Sequence, residues 1–326
     1  MVNRVIEYLR LGRIFNAEIL ALLYVLTYIF TANLYNVKYD YLIITLLFFV
    51  GLLSHIWGAY NNDRLDLITD KKVKYCSHKP LVSGTISIKT AMFIEYLILI
   101  LIVVLILLMS PKISTLGYLF GAYLLAYLYN KYNNSNMFIN VIGQMYASFA
   151  ILVSMSFIVN FDYIVFLSAI VIGLNGIYLN VIEADLKDIE GDIINVPKSL
   201  GLRFRNNKAE NITKFYLVNE VIKVSMYLLV YYILYIENVE LTFRLIAIAF
   251  FALNFIARIA MFKNLSYDRE KMKPYFALQE ITSILFISMI YVIVNPLFPI
   301  IIVLFVLLWL SIWNKILWGT YLRPQV

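Results

Sequence analysis

Long apolar runs constrain this chain more than any other feature of its sequence. Ten runs approach or reach the ~20 residues that a helix needs to cross ~30 Å of hydrocarbon. They lie at about 14–35, 41–60, 90–110, 113–129, 137–160, 163–182, 214–236, 241–262, 275–294 and 296–314. Hydrophobic residues make up 62% of the chain and charged residues 14%, which excludes a soluble globular protein. The runs predict an all-α, polytopic transmembrane helical bundle of about nine or ten helices.

We expect residues 1–326 to form a single membrane-embedded domain, because Gly/Ser linkers and low-complexity segments are absent from the sequence. The run at about 296–314 would be an additional C-terminal helix. Pro296 and Pro299 leave open whether the last two runs are separate helices or one broken element. Cys76 is the only cysteine, so an intrachain disulfide is excluded.

The distribution of Lys and Arg predicts how the chain is oriented. Of 27 such residues, 22 lie in the two termini or in the connections that follow even-numbered runs, whereas Lys38 and Lys112 lie in the other connections. The positive-inside rule therefore predicts a multi-pass protein of the cell membrane with both termini and the charged loops on the cytoplasmic side. The same rule explains the net charge of +7, so we expect the lipid bilayer as a partner and no nucleic acid.

Six aspartates form two clusters with the same spacing, D-x-x-D-x-x-x-D. The members are Asp63, Asp66 and Asp70 in the first cluster and Asp185, Asp188 and Asp192 in the second. The clusters are 122 residues apart at every position, and they lie at the ends of the second and sixth runs. Four runs separate them, which predicts a parallel internal repeat of two four-helix units.

This spacing predicts a cation site. On a helix, positions i, i+3 and i+7 lie within an arc of roughly 60°. Three neighbouring carboxylates repel one another unless a cation or protonation relieves the repulsion. Mg²⁺ takes oxygen ligands and is often shared with substrate phosphates, so two facing clusters would hold two or more Mg²⁺ ions and a diphosphate. One or two nearby cations would absorb charge on a departing diphosphate, and the candidates are Lys71, Lys79, Lys198 and Arg203.

Two longer motifs resemble a known family. "NDRLDLITD" followed by "HKPLVSG" resembles the N-D-x-x-D-x-x-x-D and R-P-L-x-S-G signature of UbiA-type intramembrane prenyltransferases, and "NVIEADLKDIEGDIINVPKSLG" resembles their second signature. The resemblance extends from near residue 13 to about 262. It implies magnesium-dependent transfer of an isoprenoid chain from a prenyl diphosphate to a membrane-accessible acceptor. The sequence departs from the family at Lys79, where the signature has arginine, in a longer gap before that residue, and in the additional C-terminal helix.

The resemblance also implies roles for individual residues. The magnesium ligands would be Asn62, Asp63, Asp66, Asp70, Asp185, Asp188 and Asp192. Asp66, Asp188, Lys79 and Lys198 would act most directly in catalysis. "GRIFNAEI" and "YLYNKYNNSNMFINVIG" resemble further family segments. The expected substrate contacts are Asn16, Lys71, Tyr129, Lys131, Asn140 and Arg203.

Several alternatives remain open. The acceptor could be an aromatic quinone precursor, a glycerol-phosphate ether lipid, a tetrapyrrole or a sugar phosphate, and a UbiA-like terpene cyclase would need no acceptor. A cation-coupled transporter is disfavoured because its ionisable groups usually lie near the bilayer midplane, whereas these acids lie at helix ends. Ionisable residues within the runs are further functional candidates. They are Glu95, Glu220, Lys223, Arg258 and Glu280, and the i, i+3 spacing of Glu220 and Lys223 predicts a mutual ion pair.

Overall fold

The computed structural model describes residues 2–72, 74–132, 136–184, 186, 196–266 and 268–321. Its α-helices are α1 (Val2–Leu11), α2 (Ala17–Leu34), α3 (Tyr41–Leu65), α4 (Leu67–Asp70), α5 (Ile88–Leu108), α6 (Ile113–Tyr132), α7 (Met137–Gly143), α8 (Tyr146–Ser156), α9 (Tyr163–Gly176), α10 (Val196–Ser199), α11 (Ile212–Ile236), α12 (Leu241–Lys263), α13 (Arg269–Ser288) and α14 (Phe298–Trp318). Short 3₁₀ helices cover Ile14–Asn16, Lys74–His78 and Met289–Ile293, and a π-helix covers Ile177–Ala184. The all-α prediction is confirmed, with one small addition: strands β1 (Arg203–Arg205) and β2 (Lys208–Glu210) form an antiparallel hairpin.

Nine helical segments of the described chain are long and apolar enough to cross a membrane. They are Ile14–Leu34, Tyr41–Leu65, Ile88–Leu108, Met137–Ser156, Tyr163–Asn180, Ile212–Ile236, Leu241–Lys263, Lys271–Ile293 and Phe298–Trp318. Each corresponds to one predicted run. The remaining run corresponds to α6, a 20-residue helix that contains five tyrosines.

The structure differs from the predicted runs at helix ends and at breaks. Helix α3 continues to Leu65, beyond the predicted end near residue 60. The run at 137–160 is interrupted by a turn at Gln144 and Met145, and the run at 163–182 changes into the π-helix at Ile177. The last two runs are separate helices. Hydropathy does not reveal such breaks, because the side chains on both sides of them are equally apolar.

The chain divides into two compact units, of which the first comprises Met1–Asn133, Phe149–Val165 and Phe305–Arg323. Helices α2 and α3 approach each other closely within it: a Cβ on Gly51 would lie 2.4 Å from the Ala21 Cα atom. In the same unit, the Trp309 indole Nε1 donates a 2.9 Å hydrogen bond to the Ile14 carbonyl oxygen. This bond ties the C-terminal helix α14 to the start of the first span.

The second unit comprises Asn134–Ser148, Phe166–Leu304 and Pro324–Val326. Its main apolar cluster packs the start of the π-helix against α11, α12 and α13. The buried members are Tyr178, Leu186, Leu202, Phe215, Met261, Phe262, Leu265, Met272 and Phe276. The same helices also carry buried polar side chains, among them Lys223, Asn254 and Arg258.

Candidate active site

The first acidic cluster lies where α3 ends. Asn62 and Asp63 belong to the last turn of α3, Asp66 forms the bend after it, and Asp70 ends the short helix α4. Backbone hydrogen bonds of 2.9 Å from Asp66 N to Asn62 O and of 2.8 Å from Asp70 N to Asp66 O continue the helical pattern through the bend. The carboxylates therefore keep nearly helical spacing although they come from two consecutive helices.

Two cationic side chains, Arg13 and Lys79, donate hydrogen bonds to these carboxylates. Asp63 is only 4% exposed, and its Oδ1 accepts hydrogen bonds from Arg13 at 2.6 Å and from the Lys79 ammonium at 3.4 Å. Lys79 also donates to Asp70 Oδ2 at 2.7 Å. Lys79 thus bridges the first and last carboxylates of the cluster.

Arg13 was absent from the predicted site residues, although it begins the "RIFN" portion of a segment used to predict Asn16. Its backbone is left-handed, with φ 46° and ψ 42°, in a turn between α1 and the first span. This conformation is uncommon for a residue other than glycine. The resulting turn places the Arg13 guanidinium within hydrogen-bond distance of the Asp63 carboxylate. Sequence spacing alone does not predict that turn.

Burial and repulsion by neighbouring carboxylates disfavour the ionised form of the middle carboxyl group, that of Asp66. Burial raises the pKa of Asp66 to about 7, and the negative charge of Asp70 contributes in the same direction. Asn62 Nδ2 donates a 3.0 Å hydrogen bond to Asp66 Oδ2. Burial lowers the pKa of Lys79, but the charges of Asp63 and Asp70 outweigh it and the net shift is upward. The cluster therefore has stable cations at its ends and a carboxyl group in the middle that resists ionisation.

The donor set of this cluster consists of carboxylate and amide oxygens, which are ligands that Mg²⁺ accepts. Among the described residues, no three His, Cys, Asp or Glu side chains converge on a single metal position. Mg²⁺ does not need such convergence, because it commonly uses one or two carboxylates together with water and substrate phosphates. A divalent cation would also relieve the repulsion that disfavours ionised Asp66. The carboxylates and the Asn62 amide oxygen therefore fit Mg²⁺ when a phosphate-bearing substrate supplies further ligands.

A second layer of polar contacts supports the end of α3. The Glu95 carboxylate on α5 accepts from Asn61 Nδ2 at 2.7 Å and from Arg64 Nε at 2.7 Å. Asn61 Oδ1 in turn accepts from Asn130 Nδ2 on α6 at 2.9 Å. These bonds connect α3, α5 and α6 directly behind Asn62 and Asp63. Glu95, predicted as a functional candidate within a span, accepts hydrogen bonds from both Asn61 and Arg64 in this layer.

The remaining predicted residues occupy varied positions. Asn16 directly precedes α2, Tyr129 is partly buried in α6, and Asn140 is buried in α7. Four predicted cations have exposed side chains: Lys71, Lys131, Lys198 and Arg203. Asp185, Asp188 and Asp192 lie outside the described residues. The structure thus brings together Asn62, the three aspartates of the first cluster and Lys79, and it adds Arg13.

The chain is similar to known proteins over most of its length. Residues 20–281 match the model of the UbiA prenyltransferase family. No curated protein matches the chain. Among solved structures, one of a digeranylgeranylglyceryl phosphate synthase is 22% identical with a TM-score of 0.63, covering 89% of this chain and 98% of the other.

Two UbiA homologues of known structure have the same fold at lower identity. One from Archaeoglobus fulgidus, bound to DMAPP and Mg²⁺, is 15% identical with a TM-score of 0.63 over 89% of this chain and 99% of the other. The apo homologue from Aeropyrum pernix K1 is 13% identical with a TM-score of 0.64 over 85% of this chain and 98% of the other. Together with the nine candidate spans, the family match identifies a multi-pass membrane protein. The chain belongs to the UbiA prenyltransferase family.

Proposed function

We propose that this protein transfers an isoprenoid chain from a prenyl diphosphate to an acceptor within the membrane. The observation that carries this proposal is the buried cluster in which Lys79 bridges Asp63 and Asp70 at the end of a membrane span. Family membership and the fold shared with a homologue bound to DMAPP and Mg²⁺ support it. The prenyl chain would lie among apolar helices that exclude water from the reacting carbon.

The magnesium ligands would be Asn62, Asp63, Asp66 and Asp70 from the first cluster and Asp185, Asp188 and Asp192 from the second. Two or more bound Mg²⁺ ions would neutralise the diphosphate and so make it a better leaving group. Asp66 and Asp188, at equivalent positions of the two motifs, would be indispensable. Of the cations, Lys79 is already held among the carboxylates, and Lys198 would be its counterpart in the second motif.

In the proposed reaction, the bond between C1 of the prenyl chain and the diphosphate oxygen breaks, and the diphosphate leaves with the electron pair. Lys79 and Lys198 would stabilise the charge that develops on it. An electron pair of the acceptor, from the π system of an aromatic ring or from a hydroxyl oxygen, then forms the new bond to C1, and the acceptor loses the proton from that ring carbon or hydroxyl. Additional substrate contacts would come from Asn16, Lys71, Tyr129, Lys131, Asn140 and Arg203.

The acceptor would be an aromatic quinone precursor or a glycerol-phosphate ether lipid. The shared fold with a digeranylgeranylglyceryl phosphate synthase supports including the second class. The acidic loops would face the cytoplasm, which is where soluble prenyl diphosphates would arrive. The alternative functions are a UbiA-like terpene cyclase, which ionises the same diphosphate without an acceptor, and a cation-coupled transporter.

The test uses purified protein in nanodiscs with Mg²⁺, prenyl diphosphates of several lengths and lipid-extract acceptors. We expect Asp66→Asn and Asp188→Asn each to reduce diphosphate release at least ~100-fold. Asp162→Asn is the matched control, since Asp162 belongs to neither acidic cluster and its carboxylate accepts a hydrogen bond from the exposed Tyr35 hydroxyl. Mass spectrometry of the product identifies the acceptor class. Full activity in both variants, or substrate movement driven by sodium or a proton gradient, would contradict the proposal.

A further inference from the structure

The π-helical segment Ile177–Ala184 directly precedes Asp185, the first aspartate of the second acidic motif. A π-helix is rare and occurs mostly as short segments, frequently at functional sites. Eight consecutive residues in this conformation therefore call for contacts that hold them. Two of these residues, Tyr178 and Asn180, make buried or partly buried polar contacts with other helices of the second unit.

The Lys223 ammonium connects the π-helix to its neighbours. Lys223 lies in α11 and is 3% exposed. Its Nζ lies 3.6 Å from the Tyr178 ring centroid and donates to Ser283 Oγ at 2.8 Å and to Asn175 Oδ1 at 3.5 Å. One cation thus contacts the last turn of α9, the first turn of the π-helix and α13.

A second contact holds the π-helix two residues further along. Asn180 Nδ2 donates a 2.7 Å hydrogen bond to Gln144 Oε1, at the break between α7 and α8. Gly176 lies beside the same break, since a Cβ there would be 3.2 Å from the Gln144 carbonyl oxygen. The absence of a side chain at Gly176 allows the two segments to approach closely enough for this amide–amide bond.

Lys223 is itself held by a buried polar network. Ser283 also accepts from Asn254 Nδ2 at 3.1 Å, and Asn254 is the partner of Arg258 within α12. Arg258 is fully buried and donates to both Glu220 carboxylate oxygens, at 2.9 and 3.0 Å. The sequence predicted an ion pair between Glu220 and Lys223. That prediction is wrong, because Glu220 pairs with Arg258 of the next helix. Such networks are stiff, because a broken contact inside an apolar region leaves polar groups unsatisfied.

We propose that Lys223 is a positioning residue for the second acidic motif. By fixing Asn175 and Tyr178 against Ser283, it holds the π-helix that directly precedes that motif in the chain. The catalytic consequence rests on the proposed prenyltransferase function, whereas the anchoring of the π-helix does not.

The variant Lys223→Met removes the charge and its hydrogen bonds but keeps most of the side-chain length. We expect amide hydrogen exchange in 177–184 to become about tenfold faster in metal-free protein, while α2 and α3 are unchanged. We also expect the Mg²⁺ concentration for half-maximal diphosphate release to rise about tenfold, as is typical when residues supporting metal ligands are lost. Lys223→Arg should restore part of both properties.

Lys214→Met is the matched control, because Lys214 is an exposed lysine of the same helix. Unchanged exchange in 177–184, or faster exchange spread uniformly over the protein, would overturn the anchoring. Faster exchange without a change in the Mg²⁺ requirement would overturn the positioning role. If the wild-type protein released no diphosphate, the proposed function would fail while the exchange experiment would still decide whether Lys223 anchors the π-helix.

Discussion

Lys79 is the residue at which this chain departs from its family signature. An arginine at this position presents a planar fork of donors, whereas lysine presents a compact ammonium on a flexible stem. Here that ammonium spans two carboxylates, reaching Asp70 at 2.7 Å and Asp63 at 3.4 Å. Arg13 supplies a guanidinium to the same Asp63 oxygen. The cluster therefore retains a guanidinium, although it comes from a different part of the chain.

We expect Lys79→Met to lower kcat/KM for the prenyl diphosphate about 100-fold, because it removes a charge beside the leaving group. Lys79→Arg should remain within about tenfold of wild type, since the positive charge is kept. Steady-state diphosphate release measures both. Lys72→Met is the control because Lys72 is exposed and outside the cluster. Equal activity of Lys79→Met and Lys72→Met would show that Lys79 takes no part in the reaction.

Glu95 organises the layer behind the cluster, where it accepts hydrogen bonds from both Asn61 and Arg64. We expect Glu95→Ala to reduce the free energy of unfolding by roughly 3 kcal/mol, because it leaves a partly buried arginine without its carboxylate. The double variant Arg64→Met/Glu95→Met should be less destabilised. Thermal unfolding in detergent measures the difference, with the exposed Glu240→Ala as control. A milder effect of the single variant than of the double variant would contradict this account.

Much of the first half of the site could be predicted from residue spacing. The D-x-x-D-x-x-x-D pattern and the Lys-Pro turn lie close in sequence, so Asp63, Asp70 and Lys79 meet through local structure. Arg13 joins Asp63 across 50 positions. Such a contact depends on how α2 packs against α3, and no local pattern encodes it. The roles of the second cluster stay a prediction.

Among the elements, α2 and α3 are the pair whose packing depends most clearly on a missing side chain. The backbone of α2 lies where a Gly51 side chain would be. We expect Gly51→Val to push the helices apart and reduce stability by about 3 kcal/mol. Gly58→Ala in the same helix meets nothing within 4 Å and should be neutral or slightly stabilising. Unfolding midpoints compare the two, and equal midpoints would refute the close approach.

Hydropathy predicted the existence of the helices better than it predicted their ends, turns and changes of helix type. Helices α11, α12 and α14 begin and end within a few residues of the predicted runs, whereas α13 starts earlier, at Arg269, and ends at Ser288 before a 3₁₀ helix. Helix α1 was missed because its apolar residues are too few to form a run. The turn at Gln144 and the π-helix at Ile177 were missed because tertiary contacts, such as the Asn180–Gln144 hydrogen bond, stabilise them.

At the scale of the whole molecule, the predicted orientation can be tested with single cysteines. A Cys76→Ser background removes the only native thiol. We expect Lys38→Cys and Asn238→Cys to react with a membrane-impermeant maleimide on intact cells, because the positive-inside rule places their loops outside. Lys72→Cys and Lys208→Cys should react only after permeabilisation. All four side chains are exposed, so poor accessibility would not explain a failure to react. The reverse pattern would invert the predicted topology.

The hydrogen bond from Trp309 to the Ile14 carbonyl has a consequence for synthesis of the protein. The first unit includes Phe305–Arg323, so the helices that precede Phe305 are all synthesised before that unit has all its parts. The first helices to be synthesised are therefore in the bilayer before their last packing partner is available. A nascent chain stalled before Phe305 would lack the Trp309 indole, and the start of the first span, where Ile14 lies, would be an early target for membrane quality-control proteases.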